Sequence, residues 1–203
     1  MIHKQARMIG IMKEILGDKY LELEVVGYDL HEDFGRSETK IACKIRDTHS
    51  NELTVIEGRG VGIIDAFFHG LLDRLSQDYP SLQTIAVDKF TVTGKIASAV
   101  DSSHADAVCE VVLGIRNDKG IHFEFESESR SVTRAGINVT MLAAEYFVNS
   151  ERAFIEAYRS QKSAREQNRQ DLASRYTEIM SQLVRNTSYS EVIEQIRSTI
   201  EED

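Results

Sequence analysis

The sequence predicts an α+β protein made of two repeated βββα units, with extra helices at both termini. Three observations carry that expectation. An alternating apolar run, Leu53 and Val55, ends in Gly58, Gly60 and Gly62 and passes at once into helical spacing at Ile63, Ile64, Phe67, Phe68, Leu71, Leu72 and Leu75. A strand therefore turns tightly into a helix. The order strand–strand–strand–helix then recurs further along the chain. Local text recurs with it: Lys44-Ile45-Arg46-Asp47 and Gly114-Ile115-Arg116-Asn117 stand 70 positions apart, each just before a hairpin turn.

The elements follow in order. Residues 1–18 form an N-terminal helix, with Met8, Ile9, Ile11, Met12, Ile15 and Leu16 at helical spacing and Gly17-Asp18 as its stop. The first unit spans 19–80. Leu21, Leu23 and Val25 alternate with Glu22 and Glu24, as in a half-buried strand. Asp29 to Gly35 reads as a loop, and Ile41, Cys43 and Ile45 mark a second strand. Asp47 to Asn51 is a turn into the third strand, Leu53 to Glu57, and a helix over about 62–78 ends at Asp78-Tyr79-Pro80.

The second unit spans 81–150. Leu82 to Thr93 reads as a strand, and Gly94 to His104 as a polar loop. Ala107, Cys109, Val111, Leu113 and Ile115 share one face of the next strand. Asn117-Asp118-Lys119-Gly120 is a hairpin signal ahead of Ile121, Phe123 and Phe125. A long helix follows Ser131. Residues 151–203 read as a helical extension: a polar helix with a narrow stripe at Leu172, Tyr176, Ile179, Met180 and Leu183, then a capping box at Ser188 to Glu191 before a last apolar helix.

Composition narrows the function. The 203 residues are 41% hydrophobic and 28% charged, with a net charge of −9. That acidity argues against a nucleic-acid groove or an anionic membrane surface. No apolar run approaches the roughly 18–20 residues that span a bilayer, and the first residues carry no signal-like apolar stretch. Cys43 and Cys109 lie in strand patterns and read as buried, reduced thiols, so a cytoplasmic protein is expected.

Catalytic and cofactor patterns are weak. Gly58-x-Gly60-x-Gly62 lacks the spacing and the parallel βαβ setting of a dinucleotide fingerprint, and no Lys-Ser/Thr follows as in a phosphate loop. The histidines are scattered, without metal-ligand spacing. His31 among Asp29, Glu32 and Asp33 reads as a solvated loop before it reads as a cation site. Ser103, His104 and Asp106 are triad residue types, but neighbours in sequence do not make a triad geometry. Neither a cofactor nor a catalytic apparatus is expected. The Gly60–Gly62 turn reads either as tight packing alone or as a backbone cradle for a small carboxylate, since helix-start N–H groups lack partners and carry partial positive charge. Asp65 in the first turn then either complements the helix dipole or accepts from a ligand's ammonium group.

The segment Gly60-Val61-Gly62-Ile63-Ile64-Asp65-Ala66, closing a βββα unit, resembles the Gly-x-Gly-Pro-x-Asp-Ala segment of the C-terminal regulatory, dimer-forming domain of 2-isopropylmalate synthase and citramalate synthase. Asp106-Ala107 is similar to the Asp-Ala of that family's second unit. The resemblance covers roughly residues 19–150. Ile63 stands where the family has proline, and Ser127-Glu128-Ser129-Arg130-Ser131 stands where it has Gly-x-Gly-x-Ser. The resemblance implies a homodimer that binds a branched-chain amino acid in a cleft between the two units. Gly60, Val61, Gly62, Ile63, Asp65 and Ala66 would line it, with Ser129, Arg130 and Ser131 opposite. The catalytic barrel is absent, so a stand-alone regulatory module is expected, with a separate catalytic chain as one partner. The alternative is a structural or assembly module that docks a protein through its helices.

Overall fold

The computed structural model describes residues 2–95 and 107–186. It is α+β, with two separate three-stranded antiparallel sheets and helices at both ends of the chain. Helix α1 (Ile2–Leu16) stops at Gly17, whose φ of +52° suits a residue without Cβ. Strands β1 (Leu23–Asp33), β2 (Glu38–Asp47) and β3 (Leu53–Gly60) pair in sequence order and lead into α2 (Ile63–Leu75). Strands β4 (Ile85–Lys95), β5 (Val108–Asn117) and β6 (His122–Ser129) repeat that order and lead into α3 (Val132–Glu166). Helix α4 (Gln170–Asn186) follows.

The repeat holds at the level of register. Leu23, Val25, Tyr28 and Leu30 lie opposite Asp47, Ile45, Cys43 and Ile41. Ile85, Val87, Phe90 and Val92 lie opposite Asn117, Ile115, Leu113 and Val111. The register slips in β1 between Val25 and Gly27, and in β4 between Val87 and Lys89, which is the same place in each unit. Gly62 and Ser131 are the matching N-cap residues of α2 and α3.

Each helix covers one face of its own sheet, as two stacked layers require. Helix α2 packs on β3 and β2, and α3 on β6 and β5. Phe67 and Leu71 of α2 sit on Ile41, Cys43, Ile45 and Ile56. Phe67 is wholly buried, a burial of about 1.5–3 kcal/mol. Tyr146 and Phe147 of α3 meet Phe123 and Phe125 with ring centroids 5.2–6.3 Å apart, mostly edge to face. Helix α3 also reaches the first sheet, sending Ile137, Met141 and Ala144 into that core. Its buried face therefore serves both units.

The outer strands are covered less completely. Tyr28 and Leu30 on β1, and Phe90 and Val92 on β4, share the face on which the helices lie, yet remain 37–46% exposed. No helix of the described residues is long and apolar enough to cross a membrane.

Several expectations need correction. The supposed loop from Asp29 is strand as far as Asp33, and the turn begins at Phe34. Strand β4 starts at Ile85, because Pro80–Thr84 forms a 3-10 turn that proline opens readily. Helix α2 ends at Leu75. No break separates 150 from 151: α3 runs through this point for 35 residues, and Ala153, Phe154, Ala157 and Ala164 are core residues. The stripe on α4 packs within the chain, with Met180 and Leu183 buried against the core shared with α3. The capping box at 188–191 and the apolar pattern after it lie outside the described residues, as do Ser103, His104 and Asp106.

Candidate functional site

The glycines before α2 are there because the helix lies against its own strand. A Cβ on Gly58 would fall on the Ala66 carbonyl, and one on Gly60 would lie 2.6 Å from the Ala66 backbone nitrogen. One on Gly70 would lie 2.6 Å from the Glu57 carbonyl oxygen. Gly62 has open space around it and an extended backbone, with φ −162° and ψ 171°, and it caps α2 without a side-chain hydrogen bond. The first N–H groups of α2 thus have no side-chain partner at the cap.

Asp65 has a structural task. Its Oδ2 accepts the Val61 N–H at 3.0 Å, reaching back across the turn as a capping residue does. Its Oδ1 lies 3.6 Å from His69 Nδ1, one turn along the helix. Oδ2 is therefore engaged, and Oδ1, on a side chain 42% exposed, is the oxygen that a ligand can reach.

A cavity of about 750 Å³ opens at this turn. It lies between α2 and β4, so it joins the first unit to the second. Ile63, Ile64, Phe68 and Leu72 form one wall, and Ile85, Val87 and Phe90 the other. Val61, Gly62, Asp65, His69 and Glu32 border it with polar groups and backbone. Of the expected site residues it includes Val61, Gly62, Ile63 and Asp65. It does not include Gly60 or Ala66, which are used up by the strand–helix contact: Ala66 is fully buried. Nor does it include Ser129, Arg130 or Ser131. Ser131 instead caps α3, its hydroxyl accepting the Arg134 N–H at 3.2 Å, while its own N–H donates to Ser129 Oγ at 3.1 Å. The wall opposite α2 is β4, an arrangement that depends on how the units pack and has no local sequence signal.

Sequence reasoning also missed a ladder of polar residues on α3. Asn149 Oδ1 accepts the Leu21 N–H at 2.7 Å, and its Nδ2 donates to the Leu21 carbonyl at 2.8 Å. Glu145 Oε1 accepts the Leu23 N–H at 2.6 Å. These side chains stand where a neighbouring strand would pair with the start of β1. Glu151 Oε2 accepts the Ser81 N–H at 3.0 Å, and Arg152 donates to the Lys19 carbonyl at 3.1 Å. The chain leading into each sheet is thereby tied to one helix. Burial raises the Glu145 carboxyl to about 7, with Glu22 adding to the rise and the Leu23 hydrogen bond and Lys13 opposing it. Burial likewise raises the Glu151 carboxyl, against the hydrogen bond from the Ser81 N–H. The spacing of 145 and 149 on an otherwise apolar helix face was the available signal.

No group of three or more His, Cys, Asp and Glu side chains among the described residues could hold a metal ion. Cys43 and Cys109 are buried free thiols. The Cys43 thiol is pushed up to about 11 by burial, which makes it a poor nucleophile. No protein-family model matches the chain, and no curated protein matches it.

Proposed function

We propose that the protein is a stand-alone regulatory module that binds a branched-chain amino acid in the cavity between α2 and β4. The observation that carries this reading is the pairing of an apolar cavity with an uncapped helix start and an acidic rim. A ligand carboxylate would face the first N–H groups of α2 beside Gly62. The ammonium group would face Asp65 Oδ1 and Glu32. The aliphatic side chain would bury itself among Ile63, Phe68, Val87 and Phe90 at about 25 cal/mol per Å². The resemblance of residues 60–66 to the synthase regulatory domain points to the same ligand class and to a separate catalytic chain as the regulated partner. Binding across two units also gives the ligand something to regulate, because closing β4 onto α2 shifts any equilibrium in which the two units differ in spacing.

The test is thermal unfolding with leucine, isoleucine or valine at millimolar concentration. Ligand at about 100 times its dissociation constant adds roughly 2.7 kcal/mol. A selective rise with one of them is expected, and Val87→Trp, which fills the cavity, should remove it. No rise with any of them refutes this reading.

A second reading, a homodimeric assembly module, is favoured by one observation. Tyr28 and Leu30, and the matching Phe90 and Val92, leave apolar surface open on the outer strands of both sheets. Sedimentation at micromolar concentration tests it. A dimer that Phe90→Asp converts to a monomer is the expected result, and a wild-type monomer refutes it.

A further inference from the structure

A second cavity, of about 380 Å³, lies where α1, α3 and β6 meet, apart from the α2–β4 site. Its size falls within the range of small-ligand sites. Ile9, Phe125, Leu142 and Tyr146 give it apolar and aromatic walls. Three of its lining side chains are carboxylates, Glu124, Glu126 and Glu145. Glu145, 7% exposed, lines it, and its carboxylate accepts the Leu23 N–H at Oε1. Gln5 also lines it, and its Oε1 is buried without a hydrogen-bond partner. Glu124 and Glu126 stand at the rim, where the one lysine of the lining, Lys89, is held by Glu124 at 2.7 Å.

Buried acceptors without donors are costly, and native proteins seldom leave them so. A carboxylate offers about four lone-pair sites, so the Leu23 N–H leaves room for more donors. Lys13 acts on Glu145 but sits over the Tyr20 ring, 4.9 Å from its centroid, and Lys89 is held by Glu124, so what the Glu145 and Gln5 oxygens lack is a bonded cationic donor. We propose that it binds an apolar amine, whose ammonium group donates to Glu145 and to Gln5 Oε1 and whose hydrocarbon body fills the space between Ile9, Phe125, Leu142 and Tyr146. A neutral analogue satisfies the orphan oxygen but not the carboxylate. An anionic analogue meets Glu145, Glu124 and Glu126 and is repelled. This inference stands independently of amino-acid binding at α2.

The test is calorimetric titration of the full chain at pH 7.5 with 2-phenylethylamine, 2-phenylethanol and 3-phenylpropanoate as probes. The amine should bind saturably, and the other two at least about tenfold more weakly, as the loss of a charge-assisted hydrogen bond implies. Glu145→Gln, which keeps an acceptor for Leu23, should weaken the amine by about the same factor. It should leave any leucine-induced rise in unfolding temperature unchanged, which separates this site from the one at α2. Leu142→Trp, at the partly exposed mouth, should block the amine while the protein stays folded by circular dichroism. The absence of amine binding to the wild type overturns the proposal. So does equal binding of the alcohol, or an amine affinity that neither substitution changes.

Discussion

The Glu145 carboxyl gives a sharp test of the energetics. It is 7% exposed, and burial raises it to about 7 in the folded chain from 4.5. The folded state therefore holds a proton that the unfolded state has already released. Stability from this group is fully present below about pH 4.5 and is lost as pH rises through about 7. That rise of roughly two to three pH units corresponds to about 3 kcal/mol. Glu145→Gln keeps the oxygen that accepts the Leu23 N–H and removes the charge. Near pH 4.5 the two proteins should be about equally stable. At pH 8 the variant should be the more stable by about 3 kcal/mol, which for a chain of this length raises the unfolding temperature by roughly 6–12 °C. The assay is thermal unfolding of both proteins from pH 4.5 to 8.5, read as a difference so that other titrating groups cancel. A difference that stays flat across this range, or a variant less stable at pH 8, refutes the account of Glu145 as a buried carboxyl in the folded core.

Three further substitutions probe the architecture by chemical denaturation. Gly58→Ala drives a methyl group into the Ala66 carbonyl, so it should cost about 1–3 kcal/mol, the scale of overpacking, despite the usual benefit of alanine over glycine. Asn149→Leu leaves both the N–H and the carbonyl of Leu21 without partners in a buried setting, and should cost about 2–5 kcal/mol. Asp65→Ala removes the acceptor for the Val61 N–H and should cost about 1 kcal/mol, as lost helix caps do, whether or not a ligand binds nearby.

The sequence made the layers legible where one face of a strand is buried and the other is not. Ile41, Cys43 and Ile45 alternate with charged residues because α2 covers only one side of β2, and the glycines before α2 announced the close approach of helix and strand. The end of β1 was illegible for the opposite reason. Asp29, His31 and Asp33 lie on a strand with no neighbour beyond it, so polar residues cost nothing there and imitate a loop. The continuity of α3 past 150 was hidden by its polar text, although Ala153, Phe154 and Ala157 keep the helical spacing. For the candidate site, the α2 wall was readable and the β4 wall was not. Ile85, Val87 and Phe90 read correctly as strand residues, but only the packing of one unit on the other places them across from Ile63 and Phe68.

The tie between Asn149 and Leu21 has a consequence for how the chain is born. The two residues are 128 positions apart. Synthesis proceeds at about 5–20 residues per second, so roughly 6–26 s separate the translation of Leu21 from that of its partner. During that interval the first sheet lacks the side chains that pair with its opening residues, and it also lacks Ile137, Met141 and Ala144 from its core. The first repeat therefore waits on the ribosome as an unfinished half. Although the chain is built from a doubled plan, a ribosome-stalled fragment ending near residue 80 should remain protease-sensitive, and protection should come only once α3 has emerged.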